Sequence, residues 1–316
     1  MKNREEYASF LEKINAPVFY GLQWLDAVAP GAWDVELFRD ANGVVTAAMP
    51  YVHEQKWGMK RLVAPVYTPY LGPVISPTSD KLTTSYKRGM EQVEKIITFC
   101  APFSEVSFRL SPGFEHWLPF RWAGFSLNPR LTYQISPAAE AVLWDNLDAK
   151  VRTDVRKAQE KSALQISSTI STEEIFQLYS KVFERNGGEL PMSRPWFEHF
   201  DSRLRPSGVA RALAARTESG ELAAMVYLVQ DERRCYLFLT GIAPEHKKTS
   251  ALTLLIWQAI LETTKHGKVF DFEGSILPAV ENFFRGFGGT QVPFFEVRKT
   301  NHRLLRFARK LRESFR

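Results

Sequence analysis

The stretch Lys268–Lys299 reads KVFDFEGSILPAVENFFRGFGGTQVPFFEVRK. Its run Val269-Phe270-Asp271-Phe272 predicts a short buried strand that leads into the turn Glu273-Gly274-Ser275. A helix opening near Pro278 and stopping at Gly288-Gly289 follows, and then a strand over Val292 to Val297. Asp271 and Glu273 therefore stand where a strand ends, and Arg285 rides on the next helix. A strand end followed by a helix start is where α/β proteins gather polar side chains and open backbone N–H groups, so ligands settle there. Taken singly, each acid also reads as the solvated end of a core strand or as a helix-capping group.

Working outward, the second half begins with a predicted helix from Ala141 to Lys161, then a strand Leu164 to Ser168 and a helix Glu173 to Asn186. A hairpin comes next, Ala210 to Arg216 and Leu222 to Gln230 around Glu218-Ser219-Gly220. Strand Arg234 to Thr240 and helix Ser250 to Thr264 lead back to the opening stretch. The first half repeats this order. It has a helix Pro17 to Val28, a hairpin Asp34 to Phe38 with Val44 to Pro50 around Asn42-Gly43, and a helix Tyr86 to Phe99. Strand Glu105 to Leu110, a short helix around Phe114 to Trp122 and strand Leu131 to Ile135 complete it. Between hairpin and helix lies a Pro-, Tyr- and Gly-rich loop, Lys56 to Pro77, longer than ordinary connections and so a candidate for function. Tyr67 and Tyr70 are its ligand-contacting candidates. The expected division is 1–137 and 138–316. The fold class expected is α/β (α+β), with two tandem domains, each a mixed, mostly antiparallel sheet flanked by helices.

A chain of 316 residues can bury a large core, and its hydrophobic and charged fractions are those of a folded protein. No apolar run approaches the ~18 residues of a membrane span, and the N-terminus carries no signal-peptide core. A cytoplasmic protein is expected. Cys100 and Cys235 stand far apart, and the six histidines lack ligand spacing, so neither a disulfide framework nor a metal site is expected. Net charge is +6, and the C-terminal segment concentrates it in Arg303, Arg306, Arg309, Lys310, Arg312 and Arg316. Leu304, Phe307, Leu311 and Phe315 recur on the other side of that predicted helix. It reads as a docked helix with a solvated basic face, or as a contact for anionic lipid or RNA phosphate.

The signature at 268–299 resembles that of the Fem-type peptidoglycan aminoacyltransferases within the GNAT acyltransferase superfamily. In that family a strand ending in an acid and a glycine precedes a helix with a Phe-Lys pair and a Phe-Gly step. Phe284-Arg285 and Phe287-Gly288 hold those places here, with arginine replacing the usual lysine. The basic run Arg152-Thr153-Asp154-Val155-Arg156-Lys157-Ala158 is similar to another family element. Arg152 and Arg156, four apart, share a helix face, and planar guanidinium groups suit a diphosphate or carboxylate; a solvated basic helix is the plainer alternative. The Pro69-to-Pro73 stretch, Pro-Tyr-Leu-Gly-Pro, carries the resemblance of the first half.

The resemblance implies two tandem GNAT domains and transfer of an acyl or aminoacyl group to an amine on a cell-wall or surface-glycan precursor. The acceptor would be nucleotide-linked or lipid-linked, and the donor aminoacyl-tRNA or acyl-CoA, with no tightly bound cofactor. In ordinary GNAT enzymes a glycine-rich loop after the strand corresponding to Tyr236–Thr240 holds the coenzyme A pyrophosphate. No glycine follows Gly241 in this loop, although Lys247, Lys248, Thr249 and Ser250 remain candidates for donor phosphate at the helix start. Tyr236, Arg152, Arg156, Lys157, Tyr67 and Tyr70 are the substrate-binding candidates. Asp271 or Glu273 would accept a proton or orient the amine, and Arg285 would face the developing negative charge. Two alternatives stand beside this reading: a CoA-dependent N-acyltransferase acting on an amino sugar or small amine, and a non-catalytic tandem-GNAT module for RNA or a membrane surface.

Overall fold

The computed structural model describes residues 2–56, 58–77, 79, 81–185, 188, 190 and 192–301. The predicted basic helix over 303–316 lies outside them. The chain forms two compact units, residues 1–130 with 293–316, and residues 131–292. The strand predicted at Val292 to Val297 runs from Thr290 to Thr300, so the chain returns to the first unit after completing the second.

The first unit opens with helix α1 (Lys2–Leu11), a 3-10 turn (Val18–Tyr20) and helix α2 (Leu22–Val28). Strands β1 (Trp33–Arg39) and β2 (Val45–Lys56) form the predicted hairpin, whose turn is held by Asp40 accepting from the N–H groups of Asn42 and Val44. The expected long loop is a correction. It contains strands β3 (Met59–Val63) and β4 (Val74–Ile75), both paired with β2. Between them, Tyr70 is fully buried, with its ring 5.8 Å from Phe19 and 5.0 Å from Phe294. The Gly72 N–H donates to the buried Tyr20 hydroxyl at 3.1 Å. Proline, glycine and tyrosine there build core packing, because aromatic faces and a close backbone approach satisfy the segment locally.

Helix α3 (Leu82–Cys100), strand β5 (Glu105–Arg109) and helix α4 (Leu118–Trp122) complete the unit with the end of β12 (Thr290–Thr300). The strand order is β1-β2-β3-β5-β12, with β3 and β5 parallel and the other pairs antiparallel. Val93, Ile96 and Cys100 on α3 pack on Phe38, Met49, Leu62, Val106 and Phe108 from the strands. That helical spacing is what lets one stripe cover the sheet.

Glu296 on β12 is 4% exposed and accepts from Arg298 at 2.6 Å and Arg130 at 3.1 Å. Burial pushes its pKa up, but those two guanidinium groups outweigh it and hold the carboxyl below its ordinary value. A depressed folded-state pKa means stability that is present above the unfolded value of about 4.3 and lost as pH falls through the folded one. Glu296→Gln is expected to destabilise by about 3 kcal/mol at pH 7, the low end for breaking a buried pair because the arginines are partly exposed. The difference should shrink in acid. Equal urea midpoints at pH 7 would remove Glu296 from the stabilising contacts.

The second unit takes in the end of β6 (Ser126–Ile135), then helices α5 (Glu140–Asp145) and α6 (Ala149–Lys161). The single helix expected over Ala141 to Lys161 is two, broken where Asp148 caps α6 by accepting from the Lys150 N–H at 2.8 Å. Strand β7 (Gln165–Ser167), helices α7 (Thr172–Arg185) and α8 (Arg194–Leu204), and strands β8 (Ala210–Arg216), β9 (Leu222–Gln230) and β10 (Arg234–Ile242) follow. Helix α9 (Ala251–Lys265), strand β11 (Val269–Asp271) and helix α10 (Pro278–Arg285) come last. The periodicity reading has no counterpart of α8, although the Ser193 cap and buried Phe197, Phe200 and Leu204 carry a helix signature.

Strands run in the order β6-β11-β10-β9-β8-β7, with β10 and β11 parallel and the other pairs antiparallel. The parallel pair needs a crossover, which α9 supplies. One sheet face buries Val226, Leu228, Cys235, Leu237, Phe270 and Phe272 under α6 and α9. On the other, Phe197 and Phe200 of α8 pack on Tyr227 and Phe238. Both cysteines are buried and unpaired with each other.

Candidate active site

Strands β10 and β11 pair only over Arg234 to Tyr236 against Val269 to Asp271, and β10 then runs on alone beside β9 to Ile242. A register shift between Leu237 and Leu239 bends β10 at that point. Two parallel strands that part company leave backbone groups and a cleft at their C-terminal ends, the place where open α/β sheets bind ligands. The turn Glu273-Gly274 sits at this point, with both residues in the left-handed region at φ 56° and 75°. A non-glycine residue held there costs on the order of 1–3 kcal/mol, and such strain gathers at functional sites.

Asp271 is 1% exposed and accepts from the Thr132 hydroxyl at 2.6 Å, the Gln134 amide at 2.8 Å and the Glu273 N–H at 2.7 Å. Burial raises its pKa, and those three donors oppose the rise. This carboxyl fixes the turn rather than meeting solvent. It orients Glu273, whose charge is felt by Tyr179 on α7; burial, then Glu273, push that phenol up to about 12.

Arg285 lies elsewhere. Phe270 and Phe272 belong to the α9 face of the sheet, so Asp271 points to the opposite face by strand alternation. Helix α10 packs on the α9 face, with Phe284 and Phe287 4.9 and 5.5 Å from the Phe272 ring. The expectation that Asp271, Glu273 and Arg285 lie on one side of a groove is therefore corrected for Asp271: strand alternation turns it away from the face that α10 covers. Arg285 pairs instead with Glu281 one turn earlier, Nε to Oε1 at 3.2 Å, and donates to Asn282 Oδ1 at 2.7 Å. Its side chain is 59% exposed and lines a groove of about 570 Å³ between α6 and α10, with Lys150, Asp148, Asp154 and Asn282.

The basic run on α6 has local partners. Arg152 donates to the carbonyls of Leu147 at 2.7 Å and Asp145 at 3.1 Å, and the Arg156 guanidinium lies 5.2 Å from the Trp144 ring centroid. Together they clamp α5 to α6, which spends Arg152 on backbone; Arg156 and Lys157 are exposed. Arg152→Gln should lower stability by about 1–2 kcal/mol, the cost of two charge-assisted bonds to carbonyls. An unchanged melting temperature would return Arg152 to the pool of ligand-binding cations.

At the start of α9, Lys247 and Lys248 are exposed, while Thr249 and Ser250 are used locally. The Thr249 hydroxyl donates to the His246 carbonyl at 2.6 Å, and Ser250 donates to Asp154 Oδ1 at 3.1 Å. Asp154 also pairs with Lys150, Nζ to Oδ2 at 3.0 Å. Tyr236 is 1% exposed, its pKa raised by burial and then by Asp231 and Asp271. Tyr236 and Tyr70 are thus packed side chains, without surface for a substrate; Tyr67, half-buried at φ 57°, keeps a left-handed backbone in its loop. Glu281, Tyr133, Asp154 and Trp144 went unread in the sequence, and only Glu281 had a signal, its i−4 spacing to Arg285. Among the described residues no cluster of histidine, cysteine or acids could hold a metal, and no helix is long and apolar enough to cross a membrane.

Residues 146–285 match a family model described as an acetyltransferase (GNAT) domain, under half of the chain. The structure is similar to that of FemX, with a TM-score of 0.66 at 12% identity over 92% of this chain and 95% of that one. It is also similar to a tandem GNAT protein from the clavulanic acid biosynthesis pathway, with a TM-score of 0.54 at 12% identity over 95% and 94% of the two chains. The structure of L-PGS from Bacillus licheniformis gives 0.53 at 14% identity over 95% and 93%. The fold is Fem-like tandem GNAT. No curated protein matches the sequence. The β10–β11 divergence lies within the segment that matches the GNAT domain model, and both units carry the mixed, mostly antiparallel sheet that the sequence predicts.

Proposed function

We propose that the protein transfers an acyl or aminoacyl group to an amine, with the reacting atoms at the C-terminal ends of β10 and β11. The observation that carries this reading is the divergence of those two strands beside the left-handed Glu273-Gly274 turn, within a GNAT-matching segment. The amine nitrogen attacks the acyl carbon, forming the C–N bond and breaking the bond to the leaving oxygen or sulfur, which takes the electron pair. Glu273 accepts the amine proton or orients the amine, with its backbone held by Asp271, and the leaving atom takes a proton from solvent. Arg285 comes from the α9 side of the sheet, opposite Glu273. In this reading a substrate across the strand ends therefore meets the acid on one side and, on the other, a guanidinium that stays charged at neutral pH and stabilises negative charge.

The acceptor in this reading is an amine on a nucleotide-linked or lipid-linked glycan precursor, and the setting is the cytoplasm. The donor is acyl-CoA or aminoacyl-tRNA, and the match of residues 146–285 to an acetyltransferase (GNAT) model supports acyl-CoA. The test supplies the protein with either donor and with a UDP-sugar-peptide acceptor pool, and follows acceptor mass. A donor-dependent mass gain matching the acyl group supports the reading. No product from either donor, together with thermal stabilisation by polyanions alone, would replace it with a binding module.

A further inference from the structure

We propose that Tyr133 and Glu281 are positioning residues that hold the Arg285 guanidinium at the groove between α6 and α10. The inference rests on the reading of Arg285 as the charge-stabilising group. Tyr133 is 3% exposed on β6 and turns its ring to the α9 face of the sheet. Its hydroxyl donates to Glu281 Oε1 at 2.6 Å and accepts from the Gln291 amide at 3.3 Å. The same Oε1 atom of Glu281 lies 3.2 Å from Arg285 Nε.

An i,i+4 ion pair on a helix surface ordinarily contributes little, because both side chains must give up rotamer freedom to form it. Glu281 has largely given that freedom up already. A short hydrogen bond from a buried phenol to a carboxylate is of the charge-assisted kind and fixes the acid from below. Arg285 therefore meets an acceptor whose place is set by the sheet, although its own side chain reaches solvent. Asn282 takes a second guanidinium nitrogen and sets the plane of the fork. Displacing a charge-stabilising group by about 1 Å is enough to cost turnover steeply, so a fixed base for Arg285 serves the reaction without touching substrate.

The test has two arms on the full chain. With 15N-arginine labelling, the Arg285 Nε–Hε signal is assigned by its loss in Arg285→Lys. It should be protected from exchange in the wild type and exposed in Tyr133→Phe and in Glu281→Ala. Should Tyr133→Phe fail to fold, Glu281→Ala carries the test, since Glu281 lies at the surface of α10. In turnover with the donor and acceptor that give product, both variants should lower kcat by about tenfold with KM within about twofold. In an Arg285→Met background, Tyr133→Phe should lower kcat no further. An Arg285 signal unchanged in both variants, or kcat unchanged while Arg285→Met is impaired, overturns the positioning role and leaves Arg285 in place. Unimpaired Arg285→Met overturns the reading of Arg285 and the positioning proposal with it.

Discussion

Arg285→Met is expected to lower kcat about 10²–10³-fold, the usual loss when one group facing a developing negative charge is removed. The substitution keeps length and helix propensity while deleting the charge, and the side chain is 59% exposed, so the melting temperature should hold. KM should change little, because the charge that Arg285 meets grows as the oxyanion forms and is small in the bound ground state. Arg285→Lys should recover part of the loss, since the ammonium keeps the charge but loses the two-nitrogen contact with Glu281 and Asn282. Equal kcat for Met and Arg in a donor-dependent assay would place the charge stabilisation elsewhere, with Lys150 another cation lining the same groove.

Gly274→Ala is expected to be among the most damaging single-methyl changes in the chain. A Cβ built there would stand 1.8 Å from the Leu131 carbonyl oxygen, which is backbone and has no rotamer to yield. The residue also has φ 75°, where an L side chain costs about 1–2 kcal/mol by itself. The sum should exceed about 3 kcal/mol, and at roughly 2–4 °C per kcal/mol for a unit of this size the melting temperature should fall by about 6–12 °C. Activity should fall with it in whatever folds, because the turn that moves carries Glu273 and the N–H bonded to Asp271. A melting temperature within about 2 °C of wild type would show that β11 and the Leu131 backbone separate freely, and would remove the strained turn from the site.

Much of this architecture is written in local pattern. The two halves announce themselves through Asn42-Gly43 and Ser219-Gly220 at hairpin turns and through helices punctuated by Gly267 and Pro278. Such signals are legible because a turn needs particular residues at particular places, and an amphipathic stripe needs 3.6-residue spacing, whatever the rest of the chain does. The hairpin Ala210–Arg216 with Leu222–Gln230 came out at its predicted bounds for that reason. Where the sequence misled, composition stood in for contact. Proline and tyrosine between Lys56 and Pro77 suggest a mobile functional loop, yet β3 and β4 run through it and Tyr70 is sealed between Phe19 and Phe294.

The residue types of the site were also legible, since an acid-glycine turn before a helix bearing a cation is a local motif. Which of them share a space was a tertiary decision. Asp271 and Glu273 stand two apart, and strand alternation followed by a left-handed turn determines which sheet face each one meets. Arg285 follows Glu281 by four residues, but the phenol that holds Glu281 comes from Tyr133, 148 positions earlier, brought alongside by the sheet. Arg152 looks like a ligand-binding cation until the helix break at Asp148 brings the Asp145 and Leu147 carbonyls within reach. By itself the sequence determined the two-fold order of elements, the tandem GNAT frame and the acidic turn ahead of a cationic helix. The tertiary structure decided which charges are already spent on backbone and which still face the groove, because a charge's partners are set by through-space distances that chain order does not encode.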